Sequence, residues 1–249
     1  MFTDTHCHIF SEYYSQDKVL ELVEQAKNQG VTKLINNGTD SRTNREVLLL
    51  SQKYENIYPA IGIHPEVTEY IEDDYIFIEK NISSIVAIGE IGLDYHYDNI
   101  DKELQRKIFK RQLDIAQKQN KPVIIHSRDA TKDTIDILKE FPGLKGIIHC
   151  FTGSLETADE YIKMGFKLGM NGVITFKNSK FRDILKNIPL ESIVLETDSP
   201  YLSPEPVRGT RNEPANIVHI AKFIAEVKGI TVDELSKITE KNVEDIFDI

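Results

Sequence analysis

Strand-like and helix-like runs alternate along the whole of this 249-residue chain, and that alternation restricts the fold more than any other feature. The strand-like runs fall at residues 2–5, 33–37, 57–62, 84–90, 122–126, 146–149, 166–170 and 193–197. Helix-like runs separate them at 16–29, from 41, at 69–81, 101–120, 130–141, 154–164 and 180–186. An apolar stripe of Ile217, Ile220, Ala221 and Ile224 follows the last strand. Gly229 stops that helix, and Thr231 with Glu234 makes a capping-box pattern for a final one. Eight strands alternating with helices predict one TIM-type (β/α)8 barrel domain over residues 1–249, with its active site at the C-terminal ends of the strands. An open doubly wound sheet would carry a glycine-rich phosphate loop after a strand, and the chain has none.

The histidines follow the strands. His6, His8, His64, His126 and His149 each fall at or just past the end of a predicted strand, where Glu90 ends the fourth and Asp198 follows the eighth. In a barrel those ends gather at one mouth. His6 and His8 alternate along an extended backbone, so they share a face and Cys7 takes the other. Imidazole with carboxylate suits Zn2+, Mn2+ or Fe2+, and Mg2+ where carboxylates dominate. His6, His8, Glu90, His126, His149 and Asp198 exceed what one tetrahedral catalytic zinc needs, which favours two divalent ions. A carboxylate has two oxygens to share, so Glu90 is the candidate bridge, and Asp198 can bind one ion and take a proton from water. His219 lies opposite the apolar stripe and reads as a solvated helix residue. His96 sits in the loop after strand four without an assigned role.

Composition limits the partners. The net charge of −10 excludes a broadly basic nucleic-acid surface, but not a local site where metals and a few Arg and Lys supply positive charge. The two cysteines, Cys7 and Cys150, have no disulfide spacing and read as small core residues. The first residues have no basic region leading into an apolar run, and no apolar run approaches the roughly 18 residues that span a bilayer. The expectation is a cytoplasmic protein without a membrane or an obligate protein partner, and a monomer.

Eight stretches then acquire a common meaning: DTHCH at 4–8, GIHP at 62–65, IGEIGLDY at 88–95, PVIIHSR at 122–128, HCFTG at 149–153, NGVITF at 171–176, LETDSPYL at 195–202 and RNEP at 211–214. In this order the chain resembles the TatD family of metal-dependent deoxyribonucleases, within the amidohydrolase-like barrel enzymes. The resemblance implies a divalent-metal phosphodiesterase, typically an exonuclease trimming DNA from the 3′ end. It implies one ion at His6, His8, Glu90 and Asp198, a second at Glu90, His126 and His149, and His64 near the scissile phosphate.

The remaining residues are compatible with that chemistry. Arg128, just past His126, can meet a phosphate with its planar fork, as can Arg208 and Arg211 in the loop after strand eight. Lys177 and Lys180 are weaker candidates. Asp94 can orient a ligand histidine or His64. Tyr95, Phe151, Phe176 and Tyr201 can stack a base. The expected substrate is therefore DNA, at single-stranded or frayed 3′ ends, hydrolysed with two ions of Mg2+, Mn2+ or Zn2+. The same ligand set also suits an ester or amide hydrolase such as a D-aminoacyl-tRNA deacylase. A metal-bound scaffold without catalysis is the remaining alternative.

Overall fold

A computed structural model describes residues 1–67, 72–96 and 101–249. Eight parallel strands form one sheet in chain order: β1 Phe2–Cys7, β2 Val31–Asn37, β3 Ile57–Ile61, β4 Ala87–Asp94, β5 Val123–Arg128, β6 Gly146–Ile148, β7 Phe166–Met170 and β8 Ile193–Leu195. The ring closes just beyond β8. Cys7 bridges Ser199 in parallel, His8 N–H donates to the Ser199 carbonyl at 2.8 Å, and Asp198 N–H donates to the His6 carbonyl at 2.9 Å. This is a TIM-type (β/α)8 barrel.

Among the described residues eight helices cover the outside, α1 Gln16–Asn28, α2 Ser41–Lys53, α3 Glu72–Lys80, α4 Lys102–Gln119, α5 Thr131–Leu138, α6 Leu155–Lys163, α7 Phe181–Asn187 and α8 Ile217–Lys228, and α9 Val232–Phe247 follows them at the end of the chain. Their starts follow from local chemistry. Asp101 accepts from the Glu103 and Leu104 N–H groups, Ser154 accepts from Thr157 N–H, and Thr231 and Glu234 complete the capping box at α9. Gly229 ends α8 in the left-handed conformation. The helix expected at 69–81 is seen as α3, and residues 68–71 lie outside the described residues. Helix α5 ends at Leu138, short of the expected 141.

Alternate strand residues face the helices or the lumen. Ile35, Ala60, Ala87, Ile124, Ile147 and Val194 pack together with Val243, Ile246 and Phe247 of α9, so the final helix fills the lower end of the barrel. Above this apolar layer the same faces of the strands carry polar groups. His126 lies two residues beyond Ile124, His149 two beyond Ile147, and Glu196 two beyond Val194.

Strand β4 departs from the simple pattern. It was expected to end at Glu90, yet it continues to Asp94, and its pairing with β5 shifts register between Ile88 and Ile91. Ile88, Ile91 and Leu93 all pack in the helix-facing core, so the alternation changes phase across the shift. That phase change turns both Glu90 and Asp94 inward. Gly92 is needed beside it: with φ of +148°, a Cβ there would come within 1.9 Å of the His126 carbonyl oxygen.

Candidate metal centre

Six side chains from five strands and strand ends converge over the apolar plug. His6 comes from β1 and His8 follows it; Glu90 comes from β4, His126 from β5, His149 from just past β6 and Asp198 from beyond β8. The β1–β8 seam brings His6, His8 and Asp198 together. It is held from below by Asp4, which is fully buried. Asp4 accepts from Thr197 N–H at 2.9 Å and from Thr197 Oγ1 at 2.6 Å. Burial pushes the Asp4 carboxyl up to about 8 against those hydrogen bonds.

The two oxygens of Glu90 face different neighbours. Oε2 lies 3.3 Å from His6 Nε2 and 3.5 Å from His8 Nε2. Asp198 Oδ1 lies 3.7 Å and 3.5 Å from the same two nitrogens, which are 3.0 Å apart. Oε1 instead meets His126 Nδ1 at 2.9 Å, His64 Nε2 at 3.5 Å and His149 Nε2 at 3.8 Å. His149 Nε2 also lies 3.9 Å from Asp198 Oδ1.

These spacings suit a metal. Metal–ligand bonds of about 2.0–2.1 Å put tetrahedral ligand atoms about 3.3–3.4 Å apart. The separations among His6, His8, Glu90 and Asp198 bracket that value. His6, His8 and Glu90 form one possible ligand group, and His64, Glu90 and His126 another. His64 thus joins the second cluster, although its own geometry favours another role. Its Nδ1 accepts from Glu66 N–H at 3.2 Å, so the neutral ring carries its proton on Nε2 and has no lone pair there for a metal.

The electrostatics follow from burial against mutual contact. Burial would raise Glu90, but the charges of His6 and His64 and a hydrogen bond from His126 hold it well below the usual carboxylate range. Asp198 is also lowered: burial opposes this, and His149 and His8 outweigh it. Burial opposes the proton on His126 too, yet Asp94 and Glu90 lift it to about 9. His149 rises to about 10 against burial, through Glu196 and Asp198. His6 alone moves down, from burial and from the charge on His149.

Most rings are anchored on the edge turned away from the centre. His8 Nδ1 lies 3.0 Å from the Asn37 carbonyl oxygen. His126 Nε2 lies 2.9 Å from Asp94 Oδ2, which puts Asp94 behind His126 rather than behind His64. His149 Nδ1 is 3.0 Å from Glu196 Oε1, an ion-pair contact that lies off hydrogen-bond alignment. Glu196 was not among the residues singled out from the sequence. Its place two residues beyond Val194, in step with the lumen-facing side of β8, was the available signal.

The centre opens into a cavity of about 780 Å³, whose wall includes His64, Arg128, Cys150 and Tyr201. Cys150 corrects an expectation: it is half-buried on this wall instead of in the core, because φ of +51° takes the chain off the strand path there. Burial and the nearby Asp198 and Glu196 push its thiol up, which keeps it an unreactive wall. Cys7 is fully buried.

The arginines separate. Arg128 lines the cavity and its Nη1 lies 4.0 Å from Asp94 Oδ2. Arg208 lies over the Phe176 ring at 3.5 Å in an adjoining groove with Lys177, and Val173 borders both spaces. Arg211 donates to the Tyr13 carbonyl at 2.7 Å and so ties down the loop. The same loop is held by fully buried Asn212, which donates to the carbonyls of Thr197 and Tyr201.

The aromatic candidates separate as well. Tyr201 is 48% exposed on the rim, with its hydroxyl 2.5 Å from that of Tyr13. Phe151 is core, packed on Tyr161 and Phe181. Tyr95 bonds Asp133 beneath Arg106 and Lys102, away from the centre. His96 contacts Asp129 at 3.0 Å, and His219 is half-buried rather than solvated. Among the described residues no helix is long and apolar enough to cross a membrane.

Known proteins match this chain over nearly its whole length. Residues 3–248 match the family model described as TatD related DNase. The chain is 42% identical, over 100% of both chains, to an uncharacterized metal-dependent hydrolase of Bacillus subtilis, YabD. It is 35% identical, over 99% of this chain and 95% of the other, to the uncharacterized metal-dependent hydrolase YcfH of Escherichia coli. Among solved structures, the TatD homologue YjjV of Escherichia coli superposes with a TM-score of 0.93 at 30% identity, covering 100% of this chain and 98% of that one.

Proposed function

Because this chain belongs to the TatD-related DNase family of metal-dependent hydrolases, we propose that it hydrolyses DNA phosphodiesters at single-stranded or frayed 3′ ends, using a pair of divalent ions. The observation that carries this reading is Glu90, a buried carboxylate whose two oxygens each meet a separate set of imidazoles. That is the arrangement of a carboxylate shared between two ions. His6, His8, Glu90 and Asp198 would hold one ion; Glu90, His126 and His149 would hold the other. When bound, Mg2+, Mn2+ or Zn2+ supplies positive charge to the phosphate oxygens and lowers the pKa of a water.

The chain's own residues account for the remaining work. Asp198, held ionised by its histidine neighbours, faces the cavity and takes the proton released when water adds to phosphorus. His64 presents Nε2–H to the same space and donates a hydrogen bond to a phosphate oxygen, while the departing oxygen takes its proton from solvent as the P–O bond breaks. Arg128 on the cavity wall offers a second cationic contact to phosphate. The next phosphate along the strand reaches Arg208 and Lys177 in the adjoining groove. Tyr201 on the rim offers a face for a base. Arg211 supports the loop through Tyr13 and keeps further N–H donors for a phosphate. The preference for 3′ ends rests on the family likeness.

A time course on 5′-labelled single-stranded DNA tests this reading. Metal-stripped protein receives Mg2+, Mn2+ or Zn2+, beside an Asp198→Asn control. A ladder shortening from the 3′ end, dependent on metal and lost in the control, is the expected result. Protein that holds metal yet leaves the strand intact with every ion would contradict it.

A further inference from the structure

Glu196 is a fully buried carboxylate that belongs to neither proposed ligand set. Such a group is costly to keep unless it is engaged, so its partners matter. Oε1 accepts from Cys150 N–H at 2.7 Å and from Asn171 Nδ2 at 3.2 Å, and it lies 3.0 Å from His149 Nδ1. Oε2 is buried without a partner, and so is Nδ1 of His6. His6, His149 and Glu196 each offer an atom within 4.8 Å of the other two. The rings of His6 and His149 stack at 3.7 Å with 23° between their planes, and both direct Nε2 towards Glu90 and Asp198. Glu196 therefore meets the stack on the His149 Nδ1 edge, and His6 is reached through its stacking on His149. The fold also makes room for it: a Cβ at Gly169 of β7 would lie 2.2 Å from Glu196 Oε2.

We propose that Glu196 is a positioning residue that anchors His149 from beneath and, through the ring stack, steadies His6 on the other side of Glu90. A histidine that ligates a metal ordinarily donates its other N–H to a carboxylate or carbonyl, which fixes the ring and strengthens the ligating nitrogen. Asn37 serves His8 in this way and Asp94 serves His126. Glu196 supplies the anchor for His149, and because His6 stacks on that ring it couples the two ligand sets. The consequence for affinity rests on the metal-pair reading above. His6 and His149 use Nε2 towards the centre, so Glu196 acts through them and does not hold a third ion.

Cobalt(II) titration followed by absorption spectroscopy tests this, using the native protein, E196Q and E196A, with thermal melting alongside. Gln keeps an acceptor oxygen and loses the charge; Ala loses both. The expected order is native, then E196Q, then E196A, with Co2+ affinity falling by about 10- to 100-fold overall and the ligand-field bands shifting in the same order. Folded variants with native affinity and native bands would overturn the proposal, even if their melting temperatures fell. A third cobalt ion that depends on Glu196 would also overturn it, in favour of direct ligation. Uptake of a single ion by the native protein would refute the pair, while the graded loss of that ion's affinity would still support the anchor. No uptake by the native protein would overturn both.

Discussion

Protons and metal ions compete for the same nitrogens around Glu90, and the direction of that competition can be worked out. Without metal, the neighbouring carboxylates hold the His126 proton up to about 9 and the His149 proton up to about 10, both raised from 6.5. A group raised on folding contributes stability that is complete below the unfolded value and is lost as pH rises through the folded value. Metal-free protein should therefore lose melting temperature between pH 6.5 and 10. Metal binding displaces those protons, so affinity rises over the same interval. The gap in melting temperature between Zn2+-loaded and metal-free protein should widen as pH rises from 6 to 9. Scanning fluorimetry across that series checks it, and a gap that narrows would contradict the assignment. His64 should behave differently from the ligands. Its Nδ1 accepts from Glu66 N–H, so His64→Gln should leave metal stoichiometry unchanged and lower kcat by about 10²- to 10⁴-fold, as measured by calorimetry and steady-state kinetics.

Strand β4 shows where the elements could be read from the sequence and where they could not. His126, His149 and Asp198 could be placed at the mouth from their spacing beyond the strands alone. In β4 the phase changes between Ile88 and Ile91, and no local propensity signals a register shift that depends on pairing with β5. Asp94 was legible as an orienting residue, but not as the partner of His126. Glu196 was hidden for a different reason: it looked like the tail of a strand, and its importance comes from contacts with β6 and β7. Cys150 was misplaced because a positive φ just past β6 turns it onto the cavity wall. Gly92 tests the element directly. Gly92→Ala brings a Cβ against the His126 carbonyl in a backbone conformation that disfavours side chains, and should cost about 1–3 kcal/mol. It should also weaken metal binding, because β5 must give way at His126. Urea unfolding with calorimetry reads both effects; native metal affinity in a destabilised variant would break the link drawn between β4 and β5.

Stability and chemistry occupy opposite ends of the whole molecule. The lower lumen is apolar and filled by Val243, Ile246 and Phe247, whereas the upper lumen carries the titratable groups. Phe247→Ala should cost about 3–5 kcal/mol in unfolding free energy and leave kcat/KM within twofold at temperatures where the variant is folded. A large loss of kcat/KM in the folded variant would show that the plug positions the centre as well as supporting it. The barrel itself was legible from the order of its strands, while the closing seam beyond β8 was not, because it rests on contacts between segments about 190 residues apart. The net charge of −10 is accommodated because the proposed phosphate contacts are confined to Arg128, Arg208, Arg211 and Lys177 around the mouth. Anomalous diffraction from crystals soaked in Mn2+ tests the central claim, that Glu90 is shared between two ions, most directly. Two manganese peaks about 3.5–4 Å apart, with one oxygen of Glu90 on each, is the predicted result. A single peak, or a second peak that Glu90 does not touch, would contradict it.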